Sequence, residues 1–164
     1  MGRWRPPPPK SSPYVTPEGA QAMRHELTEL WKVERPKITQ IVHEAAKNGD
    51  RSENGDYIYG KQRLREIDLR VRYLDKRLAA LTIVADKPSD PTKIFFGAYV
   101  DLSSCDGESR SIRIVGPDEI DASRNWISID APFARALIGK SMDDAIEDPV
   151  LSDRVWYVED IRYG

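Results

Sequence analysis

The chain has 164 residues, 40% hydrophobic and 32% charged, a composition that supports one or two small folded domains. No run approaches the roughly eighteen apolar residues of a membrane span, and a lone Cys105, with only His25 and His43 as other soft ligands, excludes a disulfide framework and a cysteine-based zinc site. The net charge of −2 conceals a division, since residues 1–85 carry 16 Lys and Arg against 11 Asp and Glu, net +5, and residues 86–164 carry 9 against 16, net −7.

Residues 1–13 are basic and proline-rich without an apolar h-region, which reads as a disordered or extended tail rather than a signal peptide or core. Thr16-Pro17-Glu18 is a helix start: a hydroxyl N-cap, proline at the first helical position and an acid in the first turn. Met23, Leu27, Leu30, Ile38, Ile41, Val42 and Ala45 then form an apolar stripe. Pro36 lies within it and removes a backbone donor, so a bend or local break is expected there. Asn48-Gly49 reads as a C-cap. A second seam follows at Leu64, Ile67, Val71, Leu74, Leu78, Leu81 and Ala85, in alternating steps of three and four, with Tyr57 and Gly60 extending it backwards. Two seams separated by a short break predict an antiparallel helical hairpin over residues 14–85, each seam covering the other.

The break itself, Asn48 to Asp56, gathers carboxylates at the tip of this arm. Three readings stay open. Asp50 or Ser52 can cap the second helix, since Asp50-Arg51-Ser52-Glu53 has the spacing of a capping arrangement. Asp50, Ser52, Asn54, Gly55 and Asp56 fall at positions 1, 3, 5, 6 and 7 of a calcium loop, but position 12 is Lys61, a cation that opposes the ion. Asp50 and Glu53 can also offer oxygens to Mg²⁺, a hard ion commonly held by one or two carboxylates plus water and phosphate. A bare tip has no pocket and cannot orient a phosphodiester, so such a site would be completed by another protein.

Along the second helix, Lys61, Arg65, Arg72 and Lys76 fall within one stripe, and Arg63, Arg70 and Arg77 form another row beside the seam. These rows suit nucleic-acid phosphates, in an interaction weakened by salt. With Glu66, Asp68 and Asp75 interleaved they equally suit a solvated helix face.

Pro88 and Pro91 mark a linker over residues 86–92. Beyond it, residues 93–164 read as a small α+β domain. Strands are expected at Tyr99 to Leu102, Ser111 to Val115, Trp126 to Ile129 and Val155 to Val158, with a turn at Cys105 to Glu108. Asp130-Ala131-Pro132 opens a short helix, with Asp130 as the expected cap, that stops at Gly139.

The segments Gly49 to Tyr57, Lys61 to Leu74, Phe95 to Val100 and Ile127 to Lys140 closely resemble the bacterial transcript cleavage factors of the Gre family, in particular its GreB branch, and the likeness runs from about Tyr14 to Tyr163. The resemblance implies an α+β protein: an antiparallel coiled-coil arm and a C-terminal FKBP-like domain that docks on bacterial RNA polymerase. In such factors the arm enters the secondary channel of a backtracked polymerase, and its tip acids help hold the second Mg²⁺ and activate a water, so that the polymerase cuts the nascent RNA 3′ segment. The factor is then an accessory protein rather than an enzyme, a cytoplasmic monomer when free, with no Mg²⁺ held tightly alone. Asp50 and Glu53 match the tip acids and Ser52 their neighbouring hydroxyl. Lys61, Arg63, Arg65, Arg70, Arg72 and Lys76 match the basic region associated with RNA, and Asp130, Ala131 and Pro132 the polymerase-docking loop. Gly55 and Ala131 depart from the family's usual alanine and serine. The alternatives are a Gre-like factor that occupies the polymerase without assisting cleavage and, from the FKBP-like fold alone, a prolyl isomerase.

Overall fold

The computed structural model describes residues 10–49 and 53–164. The chain divides into two compact units, one formed by residues 20–81 and the other by the N-terminal segment to Gly19 together with residues 82–164.

The first unit is the helical arm. Helix α1 (Pro17–Glu29) runs through a π-helical stretch, Leu30–Glu34, into α2 (Arg35–Ala46), and α3 (Gly55–Ala80) returns. The irregularity expected at Pro36 is a widened turn just ahead of it, in which the Arg35 N–H reaches the Leu30 carbonyl five residues back. Pro36 cannot donate to the turn before it, and the π geometry takes up the misfit without breaking the rod. Met23 and Leu30 on the outgoing side and Ile67, Val71 and Leu74 on the return are buried. Nearer the tip the helices close up at Gly60, where an added Cβ would lie 2.4 Å from Val42 Cγ2, a separation that only glycine permits. Ion pairs flank the seam: Arg35 with Asp68 at 2.8 Å, Arg70 with Glu26 at 2.7 Å, and Arg63 with both Glu34 and Glu66.

The seam ends sooner than its spacing predicts. Helix α3 stops at Ala80, and Leu81 is already extended, because the next residues pair elsewhere. Strand β1 (Tyr14–Val15) lies parallel to β2 (Thr82–Ile83), with the Thr82 N–H on the Pro13 carbonyl at 2.8 Å and the Val84 N–H on the Val15 carbonyl at 2.9 Å. Residues 14–19 and 82–85, read from sequence as arm, therefore belong to the second unit.

That unit is built on a five-stranded sheet in the order β5-β4-β3-β7-β6, formed by β3 (Tyr99–Ser104), β4 (Ser109–Val115), β5 (Trp126–Ser128), β6 (Ala145–Glu147) and β7 (Val155–Arg162). All neighbours are antiparallel except β4 and β5. Along β3, Val100 and Leu102 are buried while Tyr99, Asp101 and Ser103 face outward, the period-two pattern of a sheet covered on one face. Helix α4 (Pro132–Leu137) covers that face, with Ala134 and Leu137 fully buried in the core beside Trp156 and Val158. The Tyr163 hydroxyl accepts from the Phe95 N–H at 2.8 Å and donates to the Lys93 carbonyl at 2.6 Å, pinning the last residues to the start of the domain. Strand and helix content place the chain in the α+β class.

Thr16 performs the capping expected of it. Its hydroxyl accepts the Gly19 N–H at 3.1 Å and donates to the buried Glu119 carboxylate, which also takes the Thr16 and Gly116 amides at 3.0 and 2.8 Å. A side chain at Gly19 would collide with this carboxylate. Ser12, in the segment read as a disordered tail, is also held: its amide at 2.9 Å and its hydroxyl both donate to Asp130. The rest of that tail, residues 1–9, lies outside the described residues.

Candidate functional site: the acidic tip and its basic approach

The tip is set by how two helices end. Helix α2 closes at Lys47, and Gly49 takes a φ of +94°, the left-handed conformation that glycine adopts without cost past a helix end. The cap of α3 is neither Asp50 nor Ser52. Asn54 holds that position with extended backbone, and its side-chain oxygen accepts the Tyr57 N–H at 3.1 Å. Its amide nitrogen donates to the Ala45 carbonyl at 2.7 Å, so one side chain satisfies the start of α3 and the end of α2. Asparagine is among the preferred N-caps, and Asn54-Gly55 just ahead of the seam is the signal for it; Asp50 and Ser52, equally good capping types, stand four and two positions earlier.

The calcium reading fails on the same geometry. Gly55 to Lys61 are helical from the first turn of α3, whereas a calcium loop must keep positions 6 and 7 free to turn around the ion. Among the described residues no group of three or more His, Cys, Asp or Glu is placed to hold a metal ion. Glu53 is exposed beside Asn54 and, with Asn48 and Gly55, lines an open recess at the end of the arm. Its oxygens are hard donors of the kind that Mg²⁺ accepts, and their exposure leaves them accessible. Asp50 and Ser52 lie outside the described residues.

The two basic rows differ. Arg63 and Arg70 hold α3 against the outgoing helix, with the Arg63 Nε 2.7 Å from Glu34 Oε1 and the Arg70 Nη2 3.0 Å from Glu26 Oε2. Glu34 and Glu66 raise the pKa of Arg63. Lys61, Arg65, Arg72 and Lys76 are exposed, and Lys61, Arg65 and Lys76 make no ion pair among the described residues. Arg72 lies close enough to Asp68 to help hold that carboxylate below its usual range, after Arg35, which does most of it.

In the second unit, Asp130, Ala131 and Pro132 connect β5 to α4. Asp130 is not the cap: Ala131 is, and it supplies no side-chain hydrogen bond, a consequence of the alanine at that position. Asp130 is half-buried, its own amide on Ser128 Oγ at 3.0 Å and its carboxylate gripped by Ser12. Pro132, at the first helical position, is exposed.

Two halves of the chain match models of one family: residues 13–83 match the transcription elongation factor N-terminal model, and residues 79–163 the C-terminal model of transcription elongation factor GreA/GreB. The chain therefore belongs to the GreA/GreB family of transcription elongation factors. Its relatives include transcription elongation factor GreB of Pseudomonas aeruginosa, 53% identical with 99% of this chain and 98% of that protein covered. GreB of Haemophilus ducreyi is 56% identical over 93% of this chain and 94% of its own, and GreB of Haemophilus influenzae 54% over 89% and 97%. Among solved structures, Gfh1, a GreA factor homolog of Thermus thermophilus, aligns at a TM-score of 0.41 and 22% identity, covering 91% of this chain and 97% of that one.

Proposed function

We propose that the chain stimulates transcript cleavage by backtracked bacterial RNA polymerase, reaching the catalytic centre through the secondary channel with its arm. The observation that carries this reading is the cap at Asn54. With both helix ends closed by an amide, Glu53 is left exposed at the end of the arm with no structural task. Helix α3, with 26 residues, extends about 39 Å, a length that gives reach rather than core.

In this mechanism Asp50 and Glu53 present carboxylate oxygens to the polymerase active centre, Ser52 stands beside them, and the polymerase supplies the remaining ligands. A Mg²⁺ held by these carboxylates and the polymerase would supply charge stabilisation to the phosphodiester oxygens. The acids also orient the attacking water and receive its proton, while Lys61, Arg65, Arg72 and Lys76 face the extruded RNA along the arm. Asp130, Ala131 and Pro132 provide docking on the rim of the channel. The hydrolytic activity belongs to the polymerase and the chain is its cytoplasmic accessory.

The test is a stalled, backtracked elongation complex with labelled RNA. Glu53→Gln and Asp50→Asn should each bind the complex as the unmodified chain does and reduce cleavage at saturating factor by at least about tenfold, since each keeps the size and deletes the ligand charge. Cleavage at the unmodified rate by both would remove the tip acids from the mechanism and leave a factor that binds without assisting hydrolysis.

A further inference from the structure

The tip poses a mechanical problem. Glu53 is exposed just ahead of α3, yet a carboxylate that completes another protein's site must arrive in a defined place. One side chain spans the gap. Asn54 accepts from Tyr57 N–H on α3 and donates to the carbonyl of Ala45, nine residues earlier at the end of α2. Ala45 is buried and its carbonyl also receives the Asn48 N–H at 3.1 Å, so the acceptor is fixed by packing and by a turn. The Asn54 carbonyl accepts the Ile58 N–H at 3.0 Å, which fixes the backbone from which the side chain projects.

We infer that Asn54 is a positioning residue for cleavage stimulation: it staples the end of α2 to the start of α3 and thereby sets where the adjacent Glu53 carboxylate is presented. The inference rests on the tip-acid reading above. Capping and stapling are separate tasks of two different atoms, and they separate by substitution. Serine is a good N-cap, because its hydroxyl accepts the Tyr57 N–H, but it is too short to reach the Ala45 carbonyl. Alanine loses both.

The experiment compares Asn54→Ser, Asn54→Ala and Glu53→Gln in the full chain. Helicity by circular dichroism and protection of the Tyr57 amide from hydrogen exchange should match the unmodified chain in Asn54→Ser and fall in Asn54→Ala. Amides of the turn, Lys47 to Gly49, should exchange faster in both. In cleavage assays Asn54→Ser should leave the concentration for half-maximal effect unchanged and lower the saturated rate about tenfold, the penalty of a misplaced group in a preorganised site. Full activity of Asn54→Ser, with Glu53→Gln inactive, would overturn the staple and reduce Asn54 to a cap. Full activity of both would mean that the tip acids themselves are not used, and the inference would fall with them.

Discussion

Asp148 shows how much a single buried carboxylate organises. One oxygen accepts the indole N–H of buried Trp156 at 3.0 Å, and the other accepts the Val150 and Leu151 amides at 2.8 and 3.1 Å, folding the β6–β7 loop back on the core. The indole bond first, then those amides and Arg154, hold its pKa below the ordinary 3.8. A carboxyl whose folded pKa is depressed stabilises the fold fully above its unfolded pKa and loses that contribution as pH falls through the folded value. Asp148→Ala should therefore cost about 1–3 kcal/mol at pH 7, the range for stranding buried donors. Its gap from the unmodified chain should narrow below about pH 4 in denaturant titrations. A gap that stayed constant to pH 2.5 would show that the ionised carboxylate is not its source. Nothing in the sequence announced this. Asp148 and Trp156 are eight residues apart with a loop between, and no local periodicity encodes a side chain that reaches back across a turn.

At the scale of elements, α3 carries two basic rows of similar appearance and different use. The spacing of Ile67, Val71 and Leu74 disclosed the helix and its buried face, because a seam is a property of one strand of sequence. Arg63 has one partner, Glu66, on its own helix, but Glu34 and the Glu26 that holds Arg70 are on the outgoing side, and finding them requires the register between helices, which spacing within either one does not contain. Replacing Lys61, Arg65, Arg72 and Lys76 together by glutamine should leave thermal stability nearly unchanged. Cleavage should weaken more on complexes with long extruded RNA than on those backtracked by one or two nucleotides, and most at low salt. Arg63→Gln with Arg70→Gln should instead loosen the hairpin, by up to about 1 kcal/mol per pair given their exposure. Equal losses on long and short RNA for the first set would move those residues from RNA contact to general docking.

Over the whole molecule, four of the sheet's strands and the extent of α4 were legible, whereas the residues expected as a linker, 86–92, lie within the second unit. Strands β1, β2 and β6 were not, since two or three residues are too few to show alternation and their pairing depends on distant partners. The segment Asp130 to Pro132, proposed above for docking, was legible as the start of α4 but not by environment, because Ser12 lies 118 residues from Asp130. Asp130→Lys reverses charge at that loop and also breaks the Ser12 contact, while the tip is untouched. It should raise the concentration needed for half-maximal cleavage severalfold and leave the saturated rate in place. A titration with a lowered plateau and an unmoved midpoint would contradict a division between anchoring and reaching.

The parallel pairing of β1 with β2 makes the arm an insertion. The chain leaves the sheet domain after Gly19 and returns at Thr82, where β2 lies beside β1, so everything between is, topologically, one long loop grafted onto a small protein. A graft with neighbouring ends is a unit of exchange. Evolution can lengthen it, shorten it by matched turns on both helices, or replace its tip, while the host domain keeps its strands and its Glu119 clamp. The boundary that matters for such exchange is a pair of points, Gly19 and Leu81, and no single cut in the sequence corresponds to it.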